Sequence, residues 1–513
     1  MTVTLGIDLG TRYAQTAVFL EDRGVLPVPN RWGGLRTSSV VSWSKDGWRA
    51  GEEAAREEIQ NPRSTWWDIK RKAASPWRAR CGSRSLPAED LLVPLLTMLR
   101  EDGEVFLGTL LSRCVLTVPS SFTFAARSAL DAAARKGGFS SVRIVNEPVA
   151  AALAFGYPGR SLILDWGAGT VDLAVVEQEG RAWQVLESEG LAFPGGRDHD
   201  CDLAELLLGK IGPFPFGENT PEERILLREA EEVKIALSGC NAFEWHPPAG
   251  LKGNSATVTR GEFEALIAPL LEDVLFRTRS LWREWRPSRL LLIGGSSRIP
   301  LVRKLTEERV ARPGHLSLSP DEAVAAGAAL CGSGGEGRLL LDVLSSNLGI
   351  YSAEGMQIIL LEKGRPIPAR AERKFHAVGQ GAFPLRIFQG DGPGSKILSR
   401  VNVPEGRRGE EITLSFSVDS SGLLSVLLDR PSGTLSLPLL QVDGERENPG
   451  TGGEELSLLE RRFARLSPSL PSGMEERGAS LFRTAGLLSL GDRYPEALRE
   501  LDRMLGEMER IVG

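Results

Sequence analysis

Two stretches of this chain repeat one pattern. Leu5-Gly6-Ile7-Asp8-Leu9-Gly10-Thr11 runs on to the apolar Ala17-Val18-Phe19. Leu162-Ile163-Leu164-Asp165-Trp166-Gly167-Ala168-Gly169-Thr170 runs on to Leu173-Ala174-Val175-Val176. Each reads as a buried strand, a tight glycine turn and a returning strand, with an aspartate where the first strand ends. Glycine lets a backbone approach an anion closely, and successive N–H groups in such turns form nests for phosphate. An aspartate beside bound phosphates holds magnesium through its water shell, because that ion keeps most of its waters. One copy alone is also what an ordinary β-turn looks like. Two copies in matching strand contexts predict two pseudo-equivalent lobes that close on one nucleotide.

The rest of the chain must accommodate such a cleft. Its 513 residues predict about three units, and 42% hydrophobic residues suffice for several cores. A net charge of -6 argues against a general nucleic-acid binder, which needs a basic face to neutralise phosphates. The chain opens directly on the strand-like Val3-Thr4-Leu5-Gly6-Ile7, so no secretory signal is expected, and no apolar run is long enough to span a bilayer. Five scattered cysteines without a C-x-x-C pair read as free thiols in a reducing cytoplasm. Four histidines without metal-ligand spacing argue against a zinc site.

Strand and helix patterns alternate as far as Gly332, as in an α/β region. Cys331-Gly332-Ser333-Gly334-Gly335-Glu336-Gly337 has the composition of a flexible linker, and the apolar Leu339-Leu340-Leu341-Asp342-Val343 follows at once. From 348 to 440 the pattern becomes short alternating strands. Ile412, Leu414, Phe416 and Val418 alternate with polar residues, and Asp419-Ser420-Ser421-Gly422 turns the chain into 423–428 as a hairpin. A β-sandwich is expected there. Residues 444–453 form a loose connector, and Leu498, Leu501, Met504, Leu505, Met508 and Ile511 share one face of a closing helix. The expected division is 1–335, a linker at 336–343, a sheet domain at 344–442 and a helical segment at 454–513.

Two further segments converge on the cleft. Leu290-Leu291-Leu292-Ile293-Gly294-Gly295-Ser296-Ser297-Arg298 is a buried strand ending in a glycine pair and an arginine whose guanidinium can stack on a base. Glu231, Lys234 and Ser238 are spaced to share one helical face, which read alone is a solvated surface.

Together these residues resemble the heat shock protein 70 (DnaK-type) chaperones, as a divergent bacterial-type member with shortened subdomains and lid. The resemblance rests also on Asn61-Pro62 before Ile69-Lys70-Arg71, on Thr117-Val118-Pro119, on Ile144-Val145-Asn146-Glu147-Pro148 and on Ser319-Pro320-Asp321-Glu322-Ala323-Val324. It implies an actin-like (ribonuclease H-like) two-lobed α/β ATPase domain, then a β-sandwich peptide-binding-like domain and a short helical tail. It implies ATP or ADP with Mg2+, and K+ as an optional further ion. Asp8 and Asp165 would hold the metal, and Lys70, Glu147, Asp165 and Thr170 would be catalytic, with Asp172 in the same site. Gly10, Thr11, Arg12, Tyr13, Gly167, Ala168, Gly169 and Thr170 would wrap the phosphates. Glu231, Lys234, Ser238, Gly294, Gly295, Ser296, Arg298 and Asp321 would hold the adenosine. Pro119 with Arg127 would relay nucleotide state, and Arg143, Asn146 and Asp342 would engage a J-domain co-chaperone.

The chain departs from the family at several positions. Arg12 stands where the family carries a threonine, and Ala168 replaces the middle glycine of the second turn, which together imply slow hydrolysis. Short segments between Lys72 and Val115 and between Ser238 and Val258 leave the usual nucleotide-exchange factor open. Phe383 aligns near the family's central peptide pocket, which a phenyl ring there would shrink. The leading expectation is an ATP-driven peptide chaperone. The alternative is a nucleotide-dependent adaptor with little turnover and one dedicated partner. A sugar kinase is disfavoured, because it has no use for the leucine segment and the sheet domain behind it.

Overall fold

The computed structural model describes residues 3–191, 194–211, 220–248, 251, 253–333, 339–352, 356–376, 383–390, 395–403, 410–431, 433–437 and 439. Residues 1–390 and 396–442 belong to one compact unit, which holds everything described below. The tail helix expected at 454–513, and the side chain of Phe383, lie outside the described residues.

Both aspartate-bearing strands sit in the same local setting. Leu5–Leu9 pairs parallel to Arg113–Val118 and antiparallel to Tyr13–Leu20, inside a six-stranded sheet. Gly159–Trp166 pairs parallel to Arg289–Ile293 and antiparallel to Val171–Glu179, which continues to Ala182–Leu191. Parallel neighbours force both faces of a strand to be covered, which is why Leu5, Ile7, Leu162, Leu164, Leu290 and Leu292 are all buried. The repeat seen in the sequence is therefore a repeat of topology, with one lobe built on each sheet.

The helices Glu147–Phe155 and Ala323–Gly332 pack against each other, and their buried residues join one core with strands of both sheets. Their alanine-rich faces permit unusually close approach. A Cβ added at Gly327 would lie 1.6 Å from the carbonyl oxygen of Ala150. Outer insertions complete each lobe. The first carries the strands Val41–Ser44, Gly47–Ala50 and Thr65–Trp66, and the second the hairpin Ala242–Trp245 with Ala256–Thr259. The long helix Arg260–Trp285 starts at a capping box between Thr259 and Glu262 and buries Phe263, Ile267, Leu271 and Val274 on one stripe.

The leucine segment is itself a strand. Leu339–Leu341 adds in parallel to Ala182–Gln184 at the edge of the second lobe's sheet. Two four-stranded sheets follow, one ordered from Gln357–Leu361 to Lys396–Val403 and the other from Ala369–His376 to Gly433–Ser436. They bury one shared core in which Ile412, Leu414, Phe416 and Val418 point inward, as the alternation predicts. The hairpin turn at Asp419 also forms as expected: its carboxylate accepts from the amides of Ser421 and Leu423, and Gly422 takes φ 72°. Phe124 and Ala125, from the first lobe, share this core, and Lys363 pairs with Glu187 and Glu189 of the second lobe.

Candidate functional site: a cleft between the lobes

A cavity of about 470 Å³ opens between the two lobes, with Asp8 and Asp165 among its walls. The two glycine turns face each other across it. A Cβ added at Gly169 would lie 2.3 Å from Thr11 Oγ1, and one added at Gly10 would lie 2.3 Å from the Tyr13 carbonyl. Neither position has room for a side chain. Ser39 Oγ donates to the Gly10 carbonyl at 2.7 Å, and the Gly167 amide donates to the Thr170 carbonyl at 3.0 Å, so both turns are fixed. Gly294, at φ 81°, lies against Trp166 and Asp165, where any Cβ would clash with their oxygens.

The floor of the cleft is acidic and crowded. Burial, reinforced by the neighbouring Glu147, pushes the Asp8 carboxyl up to about 7 and Asp165 well above its ordinary range. Asp172 is pushed to about 7 by burial and Glu147, although Thr170 Oγ1 and the Ser120 amide both donate to it. Lys70, on the short turn Ile69–Lys72, is buried and ion-paired with Glu147.

Every cation lining the cavity holds a carboxylate. Arg12 holds Glu231, Arg36 and Arg298 both hold Asp321, Arg197 holds Asp68, and Lys234 holds Asp200 at 2.6 Å. Among the described residues, Asp8 and Asp165 alone of the lining carboxylates make no ion pair. Two raised, uncompensated carboxylates beside phosphate-ready turns fit a hydrated divalent ion. No cluster of three or more metal-binding side chains occurs among the described residues.

The predicted residues are thus brought together, with some in unexpected pairings. Glu231, Lys234 and Ser238 do share the helix Pro221–Gly239. Lys234 Nζ also donates to the Gly196 carbonyl, and Ser238 Oγ donates to the Lys234 carbonyl within its own helix. Arg298 meets Asp321, and Ser296 Oγ donates to the Gly167 carbonyl at 3.0 Å. A third glycine turn went unread in the sequence. Gly195 and Gly196 open the helix Gly196–Ile211, and a Cβ at Gly195 would lie 2.5 Å from the Ala168 carbonyl. The Gly196 and Arg197 amides donate to the carbonyls of Gly167 and Ala168, which locks this turn to the second phosphate turn. Its only sequence signal is the glycine pair itself.

A second cluster leads away from the cleft. Arg127 is buried, donates to Asn146 Oδ1, and lies in the field of Asp342, Asp172 and Glu147. Burial lowers it to about 10 against the pull of those carboxylates. Gly422, at the tip of the sheet domain's hairpin, packs beside its guanidinium. Asn146 is buried, Asp342 is half-buried, and Arg143 reaches the Cys331 carbonyl at 3.5 Å. One arginine therefore lies in the field of carboxylates from the acidic floor and the leucine segment and packs beside the sheet domain's hairpin.

A two-lobed cleft with paired aspartates and glycine turns, followed by two packed sheets, is the arrangement to which a known family answers. A family model described as Hsp70 protein matches residues 4–80 and 77–432. The chain belongs to the Hsp70 family. It is accordingly a nucleotide-dependent chaperone and ATPase with actin-like lobes and a sheet-rich substrate-binding domain. The family binds ATP or ADP with a divalent metal, and it acts with co-chaperones on unfolded polypeptides.

Proposed function

We propose that this chain is a DnaK-like ATP-driven chaperone whose sheet domain, a β-sandwich, binds peptide under control of the cleft. The observation that carries this reading is Arg127, which lies in the field of Asp172, Glu147 and Asp342 and packs beside Gly422. A nucleotide that changes the charge of the floor changes the field on Arg127, and so biases how the leucine strand and the sheet domain dock.

In this reading Asp8 and Asp165 hold hydrated Mg2+, which supplies charge neutralisation to the phosphate tail. Gly10 through Tyr13 and Gly167 through Thr170 cradle the phosphates. Lys70 and Glu147 position the attacking water, Lys70 stabilises charge on the transferring group, and Thr170 orients Asp172. Glu231, Lys234, Ser238, Gly294, Gly295, Ser296, Arg298 and Asp321 surround the adenosine. Hydrolysis is slow, because Ala168 and the Arg12–Glu231 pair restrict the phosphate turns. A J-domain partner engages Arg143, Asn146 and Asp342, of which Asn146 accepts from Arg127 and Asp342 lies in its field. Five unpaired cysteines support a cytoplasmic setting.

One observation favours the adaptor reading. Both adenosine-facing carboxylates, Glu231 and Asp321, are already bound to arginines of the first lobe, Arg12 and Arg36. That arrangement suits a closed cleft with little turnover. ATPase measurements with a panel of unrelated unfolded peptides separate the two. General stimulation supports the chaperone, and a response to a single protein or to none supports the adaptor.

A further inference from the structure

Arg12 sits inside the first phosphate turn, where the backbone is pinned: the Ser39 amide donates to the Arg12 carbonyl at 3.0 Å. Its side chain crosses the cleft to Glu231 on the helix Pro221–Gly239. Nε lies 2.9 and 3.2 Å from the two carboxylate oxygens, and Nη2 lies 2.9 Å from one of them. Both side chains are largely buried, at 19% and 14% exposure. Burial works against the charge on Arg12, and Glu231 outweighs it, so the guanidinium stays ionised. Tyr13 takes a further hydrogen bond from Arg12, and a planar guanidinium with five N–H donors, docked along one edge on Glu231, still has donors left for another anion. Lys70, read as catalytic, is held by Glu147 deeper in the cleft. Asp8 and Asp165, at the floor of the cleft, repel an incoming phosphate tail unless an ion is between them.

We propose that Arg12, oriented by Glu231, binds the phosphate tail directly and supplies from the protein part of the counter-charge that the divalent ion supplies elsewhere. Nucleotide binding by this chain is then only partly dependent on the divalent ion. The proposal rests on reading the cleft as a nucleotide site, and the test keeps the two apart.

Calorimetry on the full chain measures ADP and adenosine binding, each with Mg2+ and with EDTA. Wild-type protein is expected to lose less than about tenfold in ADP affinity when the ion is removed. Arg12→Thr is expected to lose about tenfold with Mg2+ and roughly a hundredfold without it, with adenosine affinity unchanged. Arg12→Lys should recover most of the difference. Arg12→Thr/Glu231→Gln, which leaves no unpaired carboxylate behind, should show the same ion dependence as Arg12→Thr. Equal losses of ADP and adenosine in Arg12→Thr, or equal losses with and without the ion, overturn the proposal. Failure of wild-type protein to bind ADP or ATP even with Mg2+ overturns the nucleotide reading itself.

Discussion

The backbone amide of Phe124 donates a 2.9 Å hydrogen bond to the side-chain carbonyl of Gln389. Phe124 begins a helix of the first lobe, and Gln389 ends a strand of the sheet domain. Both are buried, and Gln389 Nε2 also donates to Ser346 Oγ. An amide at the start of a helix has no partner within that helix, so the glutamine satisfies a donor that would otherwise be stranded in a closed interface.

Gln389→Ala should therefore weaken the docking of the sheet domain by about 1–3 kcal/mol, since it leaves a buried N–H unpaired. Basal ATPase rate should stay as it is, while stimulation by peptide falls several-fold. Steady-state hydrolysis with and without peptide measures both. Intact stimulation would mean that the contact does not carry the coupling.

Lys70 is buried against Glu147 at the floor of the cleft. Lys70→Ala should lower single-turnover hydrolysis by about 10²–10³ while nucleotide affinity changes far less, because the lysine acts on charge that develops in the transferring group. Lys70→Met preserves the packing and should behave in the same way. An unchanged rate in both variants sinks the assignment.

Gly169→Ala places a methyl group 2.3 Å from Thr11 Oγ1 and forces the two phosphate turns apart. Nucleotide affinity should fall at least about tenfold with little change in melting temperature, since the contact lies at the cleft rather than in a core. Adding Thr11→Gly removes the clashing atoms and should restore part of the loss.

His199 is buried against the edge of Phe263, and neither ring nitrogen has a hydrogen-bond partner among the described residues. Burial, helped by Lys234, holds it down at about 3. Its folded value lies below its unfolded value near 6.5, so the unfolded chain takes up the proton first. The stability this group contributes is complete above about 6.5 and is lost as pH falls toward 3, on the order of 5 kcal/mol at most. His199→Leu should flatten that part of the pH profile in chemical denaturation. A difference between wild type and variant that does not move with pH would disprove the buried neutral state.

Much of this was legible because the informative patterns are local. Asp8 and Asp165 each lie at the end of an apolar strand before a glycine turn, and Ile412 through Val418 alternate with the period of a half-buried strand. What escaped depends on partners distant in sequence. Leu339, Leu340 and Leu341 read as a connector, since a three-residue run has no pattern of its own, and only Ala182–Gln184 makes it a strand. Gly195 and Gly196 gain their meaning from the Ala168 carbonyl. Arg298 read as a base-stacking group, and its pairing with Asp321, across the cavity lining, carried no sequence signal. The same holds for Arg12, whose partner Glu231 sits on the other lobe.

In the proposed cycle, detachment of the leucine strand would carry a cost. While docked, it caps the open edge of the second lobe's sheet. Once it departs, the backbone donors and acceptors of Ala182–Gln184 face outward, ready to template any extended chain nearby, and Leu339 and Leu341 lose their protected register. Under the proposed function, in which the strand is a removable signal, each release would be a brief exposure to misassembly. The shorter that exposure, the safer the protein is at high concentration.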